Sequence, residues 1–296
     1  MESEKLRHEL LIFLVTALGL TAILFLHGNS KIIERQNFEN ERIQKINVAL
    51  NSAPILAKAV SVYDITQKRK IYSKNDDAPL PIASLAKIMT VTVALATHFE
   101  NDVIAVTLEA IKQAGDSGLL AGEKWKVGDL AKLTLINSSN DGAYLLSNSP
   151  GFLERIKEKN LRLGARNTIF LNPTGLDILE NEDSPEAGVL ASAEEVNNMA
   201  IYAMMSHPEI FEVTAMPEIT LVSESGFTHN FKNTDVLVEK IPNLLFSKTG
   251  FTEIAGGSLT IIFKDKTGDE IAVTLLGSTF TGRFTDMENI LQILYN

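Results

Sequence analysis

The chain has 296 residues, 45% hydrophobic and 22% charged, with a formal net charge of -10. That composition suits a globular protein with a sizeable core, and its acidity removes the electrostatic basis for binding nucleic acid. There is no cysteine, which excludes disulfides and thiolate chemistry. The five histidines (His8, His27, His98, His207, His229) show no pair at metal-ligand spacing, so no metal site is expected.

The first element is apolar. Leu10 to Leu26, LLIFLVTALGLTAILFL, carries no charge. At about 1.5 Å per residue it spans roughly 25 Å, near the lower limit for crossing a bilayer. A retained single-pass transmembrane anchor is expected over residues 10–26. A cleaved signal peptide is the main alternative, but it wants a shorter apolar run, and HGNSKIIERQ offers it a poor cleavage site. A buried core helix would normally show a polar face, and here only Thr16 and Thr21 supply one. Residues 1–9 then form a short N-terminus and residues 27–50 a linker or stalk, with the folded domain at 51–296. IIERQNFENERIQKINVAL fits a stalk helix or a solvated linker equally. Lys5 and Arg7 precede the span, and Lys31, Arg35, Arg42 and Lys45 follow it. This count leans towards a cytoplasmic C-terminal side.

In the domain, AKAVSVYDITQKRKIYSKN alternates and turns around Asp64 to Lys68, which predicts a β-hairpin. From Ala83 to about Met205 the patterns are mostly helical. SLAKIMTVTVALATHF and VGDLAKLTLINSSNDGAYLLS both repeat their apolar residues near 3.6. Ser192 stands three residues before Glu195, a capping-box signature. After Pro217 the strands return: SLTIIF and IAVTLLGS read as neighbours, and DMENILQILY as a closing helix. The order predicts one α+β domain. Hairpin and C-terminal strands would share an antiparallel sheet flanked by helices, with the helical block inserted between them.

The tripeptide Lys-Thr-Gly occurs twice, at Lys248-Thr249-Gly250 and at Lys266-Thr267-Gly268. The second copy lies in KDKTGDE between two apolar strands, and Gly268 suits a hairpin turn. The first lies between NLLF and FTEIAGG, at the start of a strand expected to be central. A lysine with apolar flanks suits a cleft wall better than a solvated surface.

Two other stretches join it. In PIASLAKIMT, Ser84 and Lys87 stand three apart at the start of a helical pattern, which puts both side chains on one face. The segment around them is apolar. Burial disfavours an ammonium and lowers the lysine pKa, which gives the neighbouring serine a base for its proton. In LINSSNDGAYLL, Ser138, Ser139 and Asn140 break two apolar helical runs. As a third side of a cleft, Ser138 could relay protons and Asn140 bind a substrate amide; a plain loop or helix cap is the other reading.

Ser-x-x-Lys, Ser-x-Asn and Lys-Thr-Gly, in this order, are the trio of β-lactamases and penicillin-binding proteins. The sequence resembles the low-molecular-weight penicillin-binding proteins, the D-alanyl-D-alanine carboxypeptidase family. YSKNDDAPLPIASLAKIMT, LLAGEKWKVGDLAKLTLINSSNDGAYLLS, FLNPTGLD and FSKTGFTEIAGGSLTIIF all carry the likeness, which extends from about Ala57 to Asn296. The family often has a small C-terminal β-domain with a membrane-binding tail, whereas this sequence has an apolar N-terminal segment. A histidine common just before FLNPTGLD is missing, and Phe251 follows Lys-Thr-Gly where the family often has another residue, including histidine.

The resemblance implies a DD-peptidase/β-lactamase-like fold and acyl transfer through a serine ester. Ser84 would attack the carbonyl between two D-alanines of a peptidoglycan stem peptide, with Lys87 as general base. The N–H groups of Ser84 and Phe251 would form the oxyanion hole. Ser138 would pass a proton to the leaving amine, and Asn140 would hold the substrate backbone. Lys248, Thr249 and Thr252, with Gly250 between them, would receive the terminal carboxylate. No cofactor or metal is required, and β-lactams would be covalent inhibitors. Peptidoglycan lies outside the cytoplasmic membrane, so the domain should too, against the charge count. A DD-endopeptidase, a class A β-lactamase and a non-turnover penicillin-sensing domain are the alternatives. Class A β-lactamases need a further glutamate after Ser-x-Asn, and Glu180 lies beyond its expected place.

Overall fold

A computed structural model describes residues 2–179 and 184–295 of the chain. In the first helix it describes the side chains of residues 5, 7–11, 13, 14, 16, 34 and 36 onward. Two units are separated, residues 1–51 and 52–296. The first is a single helix, α1 (Glu2–Ser52). Most of the expected anchor lies outside the described side chains. Among the described residues no helix is long and apolar enough to cross a membrane. The polar stretch after the apolar run continues the same helix.

The second unit opens with the hairpin β1 (Ala59–Asp64) and β2 (Arg69–Lys74) and the short β3 (Leu80–Pro81). A helical block follows: α2 (Lys87–Leu95), strands β4 (Val103–Ala105) and β5 (Lys124–Lys126), then α3 (Val127–Ile136), α4 (Asn140–Leu146) and α5 (Phe152–Arg162). Next come β6 (Ile169–Phe170), β7 (Val189–Ala191), α6 (Ala193–Ser206) and α7 (Pro208–Phe211). The chain ends with β8 (Glu218–Val222), β9 (Thr228–Lys232), β10 (Leu244–Thr252), β11 (Gly256–Lys264), β12 (Glu270–Ser278) and α8 (Gly282–Tyr295).

The main sheet has the order β10-β11-β12-β1-β2 and is antiparallel throughout. Hairpin and C-terminal strands therefore share one sheet. β11 and β12 are rich in β-branched residues and buried at nearly every position, which requires cover on both faces. α6 packs on β1, β11 and β12, and α8 on β11 and β12. Ser192 and Glu195 form the capping box that starts α6. Buried Asn197 of α6 donates to Ser61 O at 3.2 Å and accepts from Thr274 Oγ1 at 2.6 Å, fixing the register of helix on sheet.

α2 is buried at every residue, including Lys87, and packs against α3, α4, α5 and α6. A helix buried all round must be apolar all round, and KIMTVTVAL is so apart from its first lysine and two threonines. Thr92 returns its hydroxyl to Ile88 O at 2.7 Å, and Thr90 donates to Pro173 O at 2.6 Å. The short strands of the helical block were not foreseen. Two or three residues carry no readable period, and tertiary pairing alone creates them.

One expectation is corrected here. The strand bearing Lys248 is the edge of the sheet, not a central strand. It is buried because the 3-10 turns Ala83–Ala86 and Glu212–Ala215 pack against it, not because strands flank it on both sides. Lys248 also sits in mid-strand. An edge strand keeps part of its backbone free of sheet pairing, which a cleft can use.

Candidate active site

The serine is presented by a strained turn. Ile82 N–H donates to Val189 O at 3.2 Å, which pins the chain just after β3. Ala83 then takes φ 47°, unusual for a residue with a Cβ. The 3-10 turn Ala83–Ala86 runs directly into α2. Ser84 is therefore half-buried while Lys87, one turn on, has no exposed surface. Two glycines grip this turn. A Cβ on Gly250 would lie 2.7 Å from Ile82 O, and a Cβ on Gly175 would lie 1.9 Å from Ala83 O. Lys-Thr-Gly and FLNPTGLD thus meet the nucleophile turn through backbone, where no side chain fits.

Lys87 Nζ has three neighbours: Ser84 Oγ at 2.8 Å, Asn140 Oδ1 at 2.7 Å and Thr174 O at 2.8 Å. The last two are acceptors only, so each takes an N–H. A neutral amine has two N–H bonds and one lone pair, and the lone pair then falls to the Ser84 hydroxyl. Burial pushes the Lys87 pKa well below its ordinary value, and the charge of Lys248 adds to the effect. Burial favours the neutral form, and in that form this geometry leaves the lone pair facing Ser84.

Ser138 and Asn140 occupy the break between α3 and α4. Ser138 has φ 60°, a second strained non-glycine position. Ser139 caps α4 by accepting from Gly142 N–H at 2.9 Å. This turns Ser138 and Asn140 outward on either side of the cap. Asn140 also donates from Nδ2 to Ala114 O at 2.6 Å, which fixes its amide orientation.

Lys248 is 2% exposed. Its amine donates to Ser138 Oγ at 2.8 Å and to Thr249 O at 2.9 Å. Burial and the charge of Arg283 lower its pKa to about 7, with Asp235 opposing. Asp235 accepts from Ser247 Oγ at 2.5 Å, and burial raises its own pKa. Thr249 Oγ1 lies 2.6 Å from Thr234 Oγ1, and Thr234 N–H reaches Ile136 O at the end of α3. Arg283 donates to Gly250 O at 3.1 Å, with its guanidinium 4.6 Å above the ring of Phe280. Phe251 meets Phe280 edge-on at 4.9 Å.

Ser84, Lys87 and Asn140 thus form one contact group, and Ser138 with Lys248 another beside it. Thr252 makes no hydrogen bond with a member of either group. Its hydroxyl donates to Asp177 Oδ1 at 2.9 Å and accepts from Ala255 N–H at 3.1 Å, where the strand turns back. Lys266 is exposed in the β11–β12 turn, with Asp265 holding Thr267 and Asp269. Glu180 lies outside the described residues. Sequence reasoning assigned no role to Thr174, Ala114, Asp235 or Arg283. FLNPTGLD was singled out, but the contact there is a main-chain carbonyl, which carries no residue signature. Asn172 Oδ1 shapes that carbonyl turn by accepting from Thr174 N–H, Thr174 Oγ1 and Gly175 N–H.

Among the described residues, one group with metal-ligand character exists: Glu100, His207 and Glu209, with ligand atoms within 4.8 Å of one another. Both glutamates are exposed, and the group shares no residue with the serine site.

A profile of the D-alanyl-D-alanine carboxypeptidase family matches residues 46–279. A D-alanyl-D-alanine endopeptidase of Pseudomonas aeruginosa is 30% identical over 210 residues, covering 68% of this chain and 64% of that protein. The D-alanyl-D-alanine carboxypeptidase DacF of Bacillus subtilis is 26% identical over 251 residues, covering 81% of this chain and 62% of that protein. The chain thus spans a little under two thirds of the length of these two relatives. Among solved structures, a penicillin-binding protein of Listeria monocytogenes in an ampicillin-bound form superposes with a TM-score of 0.68 at 24% identity, covering 83% of this chain and 99% of that one. A Streptomyces DD-transpeptidase superposes at 0.73 and 21% identity, covering 82% and 98%. Both share the α+β fold described above. With residues 46–279 matched and the fold in common, the chain belongs to the D-alanyl-D-alanine carboxypeptidase family.

Proposed function

We propose that the chain is a serine DD-peptidase that trims the terminal D-alanine from peptidoglycan stem peptides through an acyl-enzyme on Ser84. The observation that carries this is the Lys87 amine, buried, 2.8 Å from a half-exposed hydroxyl, with both its N–H bonds already directed elsewhere.

The Ser84 O–H proton passes to Lys87 as Oγ bonds to the substrate carbonyl carbon. The resulting oxyanion falls to the N–H groups of Ser84 and Phe251; one such donor typically lowers the barrier by about 2.7–4 kcal/mol. Collapse breaks the C–N bond as Ser138 gives its proton to the leaving amine and takes one in turn from Lys248, which donates to it. Lys87 passes its proton to solvent, and Lys248 regains one from solvent, before water attacks. Asn140 keeps one amide hydrogen on Nδ2 for the substrate backbone, since its other contacts hold Lys87 and Ala114. Lys248 and Thr249, with Arg283 behind Gly250, make the positive end that suits a carboxylate. Water then cleaves the ester and restores Ser84. A β-lactam would follow the same first step and stall as the ester.

The second reading, a DD-endopeptidase, is favoured by the name of the Pseudomonas aeruginosa relative. Incubation with a stem pentapeptide and, separately, with a cross-linked muropeptide, followed by mass spectrometry, divides the two. Release of one D-alanine from the pentapeptide supports trimming. Cleavage of the cross-link alone supports the endopeptidase, and inertness towards both overturns the proposal. Ser84→Ala should take no covalent label from fluorescent penicillin. Label that is never released, with no D-alanine produced, would point to a sensing domain.

We also propose that residues 10–26 anchor the protein in the cytoplasmic membrane, with the catalytic unit outside. Leu10, Leu11, Phe13 and Leu14 are exposed at the start of this uncharged run. The whole run from Leu10 to Leu26 carries no charge, so no face of the helix is polar enough to seek water, as a lipid-facing helix requires. Extraction of membranes with alkaline carbonate should leave the full chain in the pellet; release into the supernatant would refute the anchor.

A further inference from the structure

Residues 113–122 connect the 3-10 turn Ala110–Lys112 to β5 and run beside the Ser-x-Asn turn. This loop has three glycines at positive φ: Gly115 at 86°, Gly118 at 75° and Gly122 at 84°. Glycines in such conformations leave a chain many alternatives, so something else must hold the loop in place. Two contacts tie it to the start of α4. Asn140 Nδ2 donates to Ala114 O at 2.6 Å. Three residues along the loop, the Ser117 hydroxyl donates to Asp141 Oδ2. Asp141 is 3% exposed and Ser117 7%. Buried hydrogen bonds to a carboxyl are among the stronger kind, so this contact is the firmer of the two ties.

Its place in the chain of contacts gives it a consequence for the reaction. Ala114 O orients the Asn140 amide. That orientation points Oδ1 at Lys87 Nζ, 2.7 Å away. Occupying one N–H of Lys87 is part of what leaves its lone pair for Ser84. If the loop drifts, the amide loses the partner that distinguishes its two ends, and the base loses a fixed acceptor.

We propose that Asp141 is a positioning residue for acylation: through the Ser117 hydroxyl it holds the 113–122 loop where Ala114 fixes the Asn140 amide against Lys87. This rests on the DD-peptidase reading of the site. Asp141 touches neither substrate nor the reacting atoms. Its carboxyl acts on the base through Ser117, the loop backbone and Asn140.

The test measures the rate of covalent labelling by fluorescent penicillin in the full chain, as a function of penicillin concentration. Asp141→Ala and Ser117→Ala should each slow the maximal labelling rate by about 10- to 100-fold, the cost of a misplaced reacting group, with a smaller change in the half-saturating concentration. The double variant should be no slower than the worse single, because both break one contact. Asp141→Asn, which keeps an acceptor for Ser117, should recover most of the rate. Melting curves run alongside separate a lost fold from a lost orientation. Ser117→Ala removes only one loop hydroxyl, so it keeps the test alive if Asp141→Ala fails to fold. Variants labelled at the wild-type rate would overturn the inference while leaving the site reading intact. Effects of the two singles that multiply in the double would overturn it as well. A wild type that takes no label would overturn the reading of the site, and this inference with it.

Discussion

Lys87 and Ser84 lie 2.8 Å apart, yet one is wholly buried and the other half-exposed. The burial serves the base and the exposure serves the nucleophile. A charged side chain at residue 87 would cost free energy, and the protein relieves this by lowering the pKa. Acylation needs the neutral amine, so its rate should rise with pH through this depressed pKa, at pH values well below the ordinary 10.5. Lys87→Arg removes that option, because a guanidinium stays charged in proteins. Penicillin labelling of Lys87→Arg should be lost at every pH from 6 to 9. A variant labelled near the wild-type rate would show that residue 87 is not the base.

The two Lys-Thr-Gly copies should separate cleanly. Lys248→Ala removes the amine that holds Ser138 and leaves Asp235 and Arg283 facing a cavity. Losing one such charged partner costs about 3 kcal/mol or more of transition-state stabilisation, roughly a hundredfold in rate. Lys266 is exposed in a turn held by Asp265, so Lys266→Ala should leave turnover of a pentapeptide near normal. If the damage fell on Lys266→Ala instead, the placement of the site would be wrong.

How far the sequence could be read depended on where each signal lay. The Ser192–Glu195 capping box and the hairpin around Asp64 to Lys68 are local, and local spacing is enough to find them. Ser84, Lys87, Ser138, Asn140 and Lys248 are legible as side-chain types at recognisable spacings, and the fold gathers them into two neighbouring contact groups. The edge position of β10 was not legible. Apolar flanks report burial, and packed turns bury a strand as well as neighbouring strands do. Thr174 and Ala114 were missed for a different reason: each contributes a carbonyl, and any residue has one. Thr252 is expected at the site by its place after Lys-Thr-Gly, and nothing in the sequence signals that Asp177, far along the chain, accepts from its hydroxyl. Long-range partners of this kind are visible only once the fold has brought them together.

Lys248 links stability to pH. Its folded pKa is about 7, against an ordinary 10.5. Between these values the unfolded chain binds more protons than the folded one, so stability from this group rises with pH across the window. Above 10.5 the amine is neutral in both states and nothing is lost. As pH falls towards 7 the loss grows, and below 7 it is complete. Lys248→Met, which fills similar space without a titrating group, should therefore raise the melting temperature relative to wild type more at pH 6.5 than at pH 9.5. An equal difference at both pH values would mean that Lys248 is not a depressed, buried amine.

Gly175 offers the most direct test of how the nucleophile turn is built. It has φ 79°, where an L side chain costs about 1–2 kcal/mol. A Cβ there would also sit 1.9 Å from Ala83 O, deep inside van der Waals contact with backbone that cannot swing aside. Ala83 is itself strained at φ 47°, so the turn has no easy direction in which to yield. Gly175→Ala should lower the melting temperature and slow penicillin labelling together, because the displaced carbonyl adjoins Ser84. Gly226→Ala is the matched control. It has a similar φ of 85° but nothing within 4 Å of its Cβ, so it should cost stability alone and leave labelling untouched. Equal labelling rates in both variants would show that the turn does not depend on the close approach of FLNPTGLD.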